Sequence, residues 1–223
     1  TNQFGFRKLC NKKKNDNLDY DIVFIGDSFT EAVGLHYKDS FINLISNSLE
    51  ESNIANMGVS SYSPSIYYSK INYYIKKGLK FDEVVVYIDI SDITDEIQRS
   101  VVNDRVIDEN YNKFRKIKNY ARWYFPNTYL ILNKIKSLNE DIVIQSVLDY
   151  NYYKSAWTYS KTNTKYDNNH IDKGVNESIK NMTKLYNLLK NNNIKMSVSI
   201  YPWPGQILHE KSISKQEIII EKP

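Results

Sequence analysis

Cysteine is almost absent from this sequence of 223 residues, since Cys10 is the only one. A single cysteine cannot form an internal disulfide, and it cannot build a cysteine-ligated metal cluster. The scarcity does not identify a compartment, because many proteins of the cell envelope also lack disulfides. Localisation therefore stays open between the bacterial cell envelope and the cytoplasm.

Long apolar runs are also missing. No stretch approaches the roughly 18 residues that a membrane-crossing helix requires, and no signal peptide is visible. The chain begins with Thr1 rather than methionine and stops soon after the apolar residues 218–220. We therefore expect a fragment, truncated at both ends and lacking a C-terminal part, whose oligomeric state is open.

The excess of charge is small, with 30 Lys and Arg against 26 Asp and Glu and a net charge of +4. The densest basic run, residues 12–14, is interpreted as a solvated cluster. Hydrophobic residues make up 41% and charged residues 25%, as in an ordinary globular protein. Nucleic acid is not an expected partner.

Four apolar stretches predict strands of a buried parallel sheet, at 20–25, 53–57, 83–90 and 195–201. Amphipathic stretches between them predict helices, at 39–49, between Ser63 and Gly78, and at 172–191. This order predicts a three-layer α/β/α, flavodoxin-like fold in one domain over 1–223. Residues 95–166 are interpreted as an insertion, with helices near 127–138 and 140–150.

Small polar residues follow three of the predicted strands, at 26–28, 56–61 and 89–92. Ligands of open parallel sheets bind beyond the carboxyl ends of the strands, so these segments should converge. A serine just after a strand, preceded by glycine, is well placed to expose its hydroxyl as a nucleophile. Acyl transfer also needs oxyanion donors, for which Ser28 N–H, Gly58 N–H and the Ser91 hydroxyl are the candidates.

The first of these segments, Ile25-Gly26-Asp27-Ser28-Phe29-Thr30-Glu31, resembles the first block of the SGNH/GDSL hydrolases. Asn56-Met57-Gly58 resembles the second block, and Asp89-Ile90-Ser91-Asp92 falls where the third, Gly-x-Asn-Asp, should lie. The opening residues 1–7 also resemble the lead-in of envelope-associated members, some related to polysaccharide O-acetyltransferases. Residues 1–98 carry most of this resemblance.

The resemblance implies that Ser28 is a nucleophile and that Gly58 donates to the oxyanion. Two departures matter. Ser91 stands where the family has its oxyanion asparagine, and Asp89 stands where it has glycine. The family's Asp-x-x-His block, which supplies the base and its orienting acid, normally follows the last strand.

A serine nucleophile also needs a base that takes its proton. Asp167 and His170 fit Asp-x-x-His literally, but they precede a helix and the fourth strand. A base beyond Pro223 is the favoured expectation. His209, another group, or an inactive domain are the remaining alternatives.

The other acidic residues have structural interpretations. Asp27 is read as a turn residue that binds loop N–H groups. Asp89 and Asp92 could form a metal-binding pair, but capping of the following turn or shaping of the site is favoured. No metal or organic cofactor is expected.

The sequence predicts an ester hydrolase that forms an acyl-enzyme on Ser28. The resemblance implies an O-acylated carbohydrate or a small ester as substrate. One alternative is an O-acyltransferase, with acetyl as the expected group, acting on a saccharide acceptor. Another is a non-catalytic module of the same fold that binds glycans. A nucleotide-binding protein is a distant alternative, because no phosphate-binding loop is present.

Overall fold

The structure is a computed structural model that describes residues 2, 4–7, 18–49, 51–97, 99–102, 105–108, 155–158, 168–203 and 206. The predicted helices near 127–138 and 140–150 lie outside these residues. Two compact units are present: Thr1–Ile107 with Asn168–Pro202, and Asp108–Asp167 with Trp203–Pro223. The single domain over 1–223 stays a prediction.

The described elements of the chain follow one another in a largely alternating order. The strands are β1 (Asp19–Ile25), β2 (Ile54–Asn56), β3 (Lys80–Ile88), β4 (Arg99–Val102), β5 (Arg105–Asp108) and β6 (Lys195–Ile200). The helices are α1 (Ser28–Glu31), α2 (Phe41–Ser48), α3 (Pro64–Lys76), α4 (Ile90–Glu96) and α5 (Asn168–Asn191). Short 3₁₀ turns occupy Tyr37–Asp39 and, in the second unit, Ala156–Thr158. Among the described residues, no helix is long and apolar enough to cross a membrane.

The main sheet is parallel and has the strand order β2-β1-β3-β6. One row across it joins Ala55, Val23, Val84 and Met196. This order confirms the predicted α/β fold with a parallel sheet. All four predicted strands are present, although β3 begins three residues earlier than expected and ends at Ile88 because Ile90 already starts α4.

Local sequence explains where the helices begin and end. Pro64 occupies the first turn of α3, where its missing N–H removes no helical hydrogen bond. Gly78 has a φ of +85° just after that helix, a conformation that glycine adopts without steric cost. Asp89 and Asp92 form a reciprocal capping box at the start of α4, a helix that the sequence analysis did not predict.

Helices cover both faces of the sheet. On one face, side chains of β1 and β3 pack with Tyr67 and Ile71 of α3 and with Leu185 and Leu189 of α5. On the other face, the ring of Phe41 in α2 lies 5.0 Å from that of Tyr87 in β3. Adjacent residues of β3 point to opposite faces, so these contacts define three layers.

A buried carboxylate joins three helices on the first face. Glu96 of α4 is 1% exposed. It accepts hydrogen bonds from the Ser63 hydroxyl, from the backbone N–H and hydroxyl of Ser65, and from Asn181 Nδ2 of α5 at 2.6 Å. Arg99 Nη1 donates to Ser63 Oγ at 2.6 Å. The carboxylate therefore fixes the start of α3 against α4 and α5.

Candidate active site

Ser28 lies just beyond the carboxyl end of β1 and is the first residue of α1. Asp27 caps this helix, since its Oδ1 accepts the Phe29 N–H at 3.0 Å. The helix lasts a single turn because Ala32 adopts a left-handed φ of +61°. Ser28 is half-buried, and its Oγ donates to Asp27 Oδ2 at 3.3 Å. The predicted role of Asp27 as a turn residue is confirmed.

Two glycines allow the backbone to pass close to α1. A Cβ on Gly26 would lie 2.1 Å from Thr30 Oγ1 and 2.9 Å from the Tyr87 carbonyl oxygen. A Cβ on Gly58 would lie 2.7 Å from Glu31 N and 2.8 Å from Thr30 C. Neither position can hold a side chain without displacing α1. The second strand end therefore lies against the helix that carries Ser28.

Asn56, at the end of β2, binds the two segments together. Its Nδ2 donates to the Thr30 carbonyl at 2.8 Å, and its Oδ1 accepts the Gly58 N–H at 2.9 Å. Asn56 is 1% exposed, so these bonds satisfy an amide that has left water. The N–H that sequence analysis assigned to the oxyanion is thus engaged by a side chain of its own loop.

Charged side chains hold the backbone of the loop that follows β2. Glu31 Oε2 accepts the Ser60 N–H at 2.7 Å, and Lys70 Nζ donates to the Met57 carbonyl at 2.8 Å. Arg99 donates to the carbonyl of Ser61. Burial lowers the pKa of Lys70 to about 8, and the charge of Glu31 partly opposes that shift.

The residues predicted at the third strand end, Asp89, Ser91 and Asp92, lie at the start of α4. Asp89 Oδ1 accepts the Ser91 N–H and the Ser91 hydroxyl, both at 2.6 Å. The Asp89 N–H donates to Asp92 Oδ2 at 2.9 Å. The interpretation of both aspartates as caps is confirmed. Ser91, the third predicted oxyanion donor, has its hydroxyl directed to Asp89.

Three carboxyl groups meet where the first and third strand ends adjoin. Oxygens of Asp27, Asp89 and Asp92 all lie within 4.8 Å of one another, and each residue is at most 4% exposed. That spacing would suit a cation. Protein donors nevertheless bind all three groups, including the Tyr67 hydroxyl, which donates to Asp92 Oδ1 at 3.0 Å. We therefore read the group as a hydrogen-bonded carboxyl cluster.

Burial and mutual repulsion control the ionisation of this cluster. Burial raises the pKa of Asp92 well above its usual range, and the charges of Asp89 and Asp27 raise it further. Burial and then Asp89 also raise the pKa of Asp27. The pKa of Tyr67 is raised by burial and by the neighbouring carboxylates, so its phenol stays a donor.

The fourth strand supplies a residue that sequence analysis did not assign to the site. Tyr201 follows β6, and its hydroxyl donates to Asp27 Oδ1 at 2.6 Å. Its ring centroid lies 4.8 Å from that of Phe29 and 6.4 Å from that of Tyr87. Its position at the carboxyl end of a predicted strand was the signal that could have identified it.

The N-terminal segment contributes a second unassigned residue. Arg7 pairs with Asn56 through an isolated antiparallel bridge. Its guanidinium donates to the carbonyl oxygens of Glu31, Ala32 and Leu35, the last two at 2.7 and 2.8 Å. A cation that satisfies the last carbonyls of a helix is favourable for both its charge and its donors. Arg7 therefore anchors the C-terminal end of α1.

One candidate for the base, His170, lies at the start of α5. His170 is exposed in the first turn of that helix. Gly174, one turn later, packs against α4, since a Cβ added there would lie 2.5 Å from the Ile93 carbonyl oxygen. The predicted partner of His170, Asp167, lies outside the described residues, as does His209. Among the described hydrogen bonds, the acceptor of the Ser28 hydroxyl is Asp27. The Asp167–His170 pair stays a prediction.

The three strand ends meet at a topological switch point. β1 and β3 are neighbours in the sheet, and the connections that leave them run to opposite sides, which opens a crevice at their carboxyl ends. Gly58 lies against Thr30 and Glu31 of the helix that begins at Ser28, and Asp89 and Ser91 follow β3, the strand that pairs with β1. The geometry therefore groups the residues that the sequence placed at three separate positions.

Comparison with known proteins gives a distant likeness among solved structures. No protein-family model matches the sequence, and no curated protein matches it. Among solved structures, the chain is similar to a protein from Desulfitobacterium hafniense DCB-2, provisionally described as a lipolytic protein of the G-D-S-L family. The two are 14% identical over 82% of this chain and 77% of that chain, with a TM-score of 0.30. A likeness of this extent does not assign the chain to that family.

Proposed function

We propose that this protein is an ester hydrolase of the SGNH/GDSL type that acts through an acyl-enzyme on Ser28. One observation carries the proposal: the Ser28 hydroxyl lies at the switch point of a parallel sheet and binds the buried carboxylate of Asp27. The motifs at the three strand ends support the choice of family.

The chemistry would proceed in two steps. Ser28 Oγ attacks the ester carbonyl carbon, the new Oγ–C bond forms, and the carbonyl oxygen becomes an oxyanion. A base takes the Ser28 proton and returns it to the departing alcohol as the C–O bond breaks. In the second step, water gives a proton to the base and attacks the acyl carbon of the acyl-enzyme. The Oγ–C bond breaks, Ser28 Oγ takes the proton back from the base, and the acid is released. Within this sequence, His170 is the candidate for the base and Asp167 the candidate for its orienting acid.

The surface around Ser28 supports a substrate with an apolar acyl group. Phe29, Val33 and Leu35 are each more than half exposed and follow the nucleophile directly in the chain. Exposed apolar side chains that follow the proposed nucleophile in the chain would suit the acyl portion of a small ester. An O-acetylated carbohydrate is the substrate class that the motif resemblance adds to this proposal.

A second candidate function is a non-catalytic module that binds glycans. Its support is the state of the predicted oxyanion donors, because the Gly58 N–H is bound by Asn56 and the Ser91 hydroxyl by Asp89. An oxyanion hole needs donors aimed at the developing charge. For hydrolysis, these two groups would have to exchange their internal acceptors for substrate.

The deciding experiment assays the full chain on p-nitrophenyl acetate. We expect Ser28→Ala to abolish enzymatic release of p-nitrophenol. Ser48→Ala, an exposed serine on α2, is the matched control and should leave the rate unchanged. A fluorophosphonate probe should add its mass to the unmodified chain and to Ser48→Ala, but not to Ser28→Ala. Equal rates and equal labelling of all three proteins would reject the nucleophile and favour the binding module.

Product analysis separates hydrolysis from acyl transfer. With a saccharide acceptor present, a transferase forms acylated sugar in competition with water, while a hydrolase releases only free acid. We expect free acid as the main product. An acyl-sugar yield that rises in proportion to the acceptor would assign the transferase alternative instead.

A further inference from the structure

Tyr201 contacts the nucleophile's neighbour from a distant part of the chain. It is half-buried and lies 174 residues after Asp27, to whose Oδ1 its hydroxyl donates at 2.6 Å. The same Oδ1 accepts the Phe29 N–H, while Oδ2 accepts the Ser28 hydroxyl at 3.3 Å. Two donors on one oxygen fix the rotation of the carboxylate and direct the other oxygen towards Ser28.

The carboxyl cluster opposes the ionisation of Asp27, and Tyr201 favours it. Asp89 from the end of β3 and Asp92 from α4 face Asp27, as does the phenol of Tyr67 from α3. Burial and the charge of Asp89 raise the pKa of Asp27, whereas the hydrogen bond from Tyr201 lowers it. Tyr201 thus donates a hydrogen bond to the Asp27 carboxylate, whereas the neighbouring carboxylate of Asp89 repels its charge.

Tyr201 is also held in place independently of this bond. Its ring packs between those of Phe29 and Tyr87, at 4.8 and 6.4 Å between centroids. Burial is the main cause that raises its own pKa, so the phenol keeps its proton and donates throughout the ordinary pH range. A fixed donor of this kind can set the geometry of the group that accepts from it.

We propose that Tyr201 is a positioning residue, which holds the carboxyl group of Asp27 oriented so that its Oδ2 accepts the Ser28 hydroxyl. The inference rests on the proposed function, because its purpose is to aim the hydroxyl of the nucleophile. Tyr201 itself touches no reacting atom. Its effect reaches Ser28 through Asp27.

The test compares the full chain with Tyr201→Phe, which keeps the ring and removes the donor. With p-nitrophenyl acetate we expect kcat to fall about tenfold, since one hydrogen bond to a charged group is lost, with KM little changed. The acidic limb of the kcat/KM profile should move to higher pH. Tyr186→Phe, which alters an exposed tyrosine of α5, should match the unmodified chain in both respects.

Two further variants show whether the effect passes through Asp27. In the Asp27→Asn background, Tyr201→Phe should cause no additional shift of the pH profile. A carboxyl NMR titration of protein labelled with ¹³C-aspartate should show a higher pKa of Asp27 in Tyr201→Phe. The proposal is overturned if Tyr201→Phe lowers only the melting temperature and leaves the pH profile and the Asp27 titration unchanged. Failure of the proposed function is a different result, namely hydrolysis that does not depend on Ser28.

Discussion

Gly58→Ala tests the contact between the second strand end and the helix that carries Ser28. The added Cβ would lie 2.7 Å from Glu31 N and from Thr30 Cγ2, and 2.8 Å from Thr30 C. Ordinary contacts of a Cβ begin near 3.4 Å, so α1 would have to retreat by about 0.7 Å. Two of the three atoms belong to the backbone, which cannot rotate away as the end of a flexible side chain can.

This retreat should affect both stability and rate. Overpacking a filled site by one methyl group costs about 1–3 kcal/mol, which lowers the melting temperature by roughly 2–4 °C for each kcal/mol in a protein of this size. Displacement of a nucleophile by about 1 Å can cost on the order of a hundredfold in rate. We therefore expect kcat/KM of Gly58→Ala on p-nitrophenyl acetate to fall between about tenfold and a hundredfold.

Gly78→Ala is the matched control for this experiment. Nothing lies within 4 Å of the Cβ position of Gly78, but its φ of +85° strains any other residue. That strain costs roughly 1–2 kcal/mol, a loss of stability similar to that of Gly58→Ala. The control should therefore lose melting temperature and keep its kcat/KM. If Gly58→Ala retained both its melting temperature and its rate, the close approach of Gly58 to α1 would be refuted.

Three other substitutions test separate parts of the structure. Arg7→Lys replaces a forked donor by a point charge, so we expect a several-fold lower kcat/KM and about 1–2 kcal/mol less stability in urea unfolding. Glu96→Gln replaces one accepting oxygen of the carboxylate by an NH₂ group that faces other donors, and it should lower the free energy of unfolding by about 1–3 kcal/mol. Its control is Glu177→Gln, which removes the ion pair with Lys180 at the surface and should change the free energy of unfolding by no more than about 0.5 kcal/mol. If both variants lost the same stability, the role of the buried Glu96 network would be contradicted. Asp92→Asn should flatten the pH dependence of stability. Because the pKa of folded Asp92 lies above 3.8, the unfolded chain ionises first and stability falls as pH rises, until the folded group also ionises. Chemical denaturation from pH 3 upwards measures this slope, and an unchanged slope would contradict the assignment.

The sheet was predictable because its strands are short, apolar and bounded by polar turns. The stretch 83–90 reads as a buried strand from composition alone, and β3 covers most of it. The helix α4 was missed for the opposite reason. It is seven residues long, too short for a helical period to emerge, and its capping aspartates predicted a turn without showing that a helix follows it.

Ser28 and its neighbours were accessible to sequence reasoning because they follow strands directly. Parallel strands bring their carboxyl ends to one edge, so three local motifs become one site without knowledge of side-chain geometry. What the motifs could not reveal is the bonding state of the donors. Whether Gly58 N–H faces a substrate or Asn56 Oδ1 depends on one side-chain rotation, which no spacing encodes.

Tyr201 escaped prediction because its partner belongs to a strand that is not its neighbour. β6 pairs with β3, and β3 pairs with β1, so Tyr201 and Asp27 follow strands two positions apart. At about 4.8 Å between adjacent strands, the separation is close to 10 Å. A short side chain after β6 would end above β3. Tyrosine combines length with a terminal donor, and its hydroxyl reaches Asp27 Oδ1 at 2.6 Å. The same strand order explains why the acidic cluster forms where it does: Asp89 follows β3, the strand between β1 and β6, and its charge raises the pKa of both Asp27 and Tyr201.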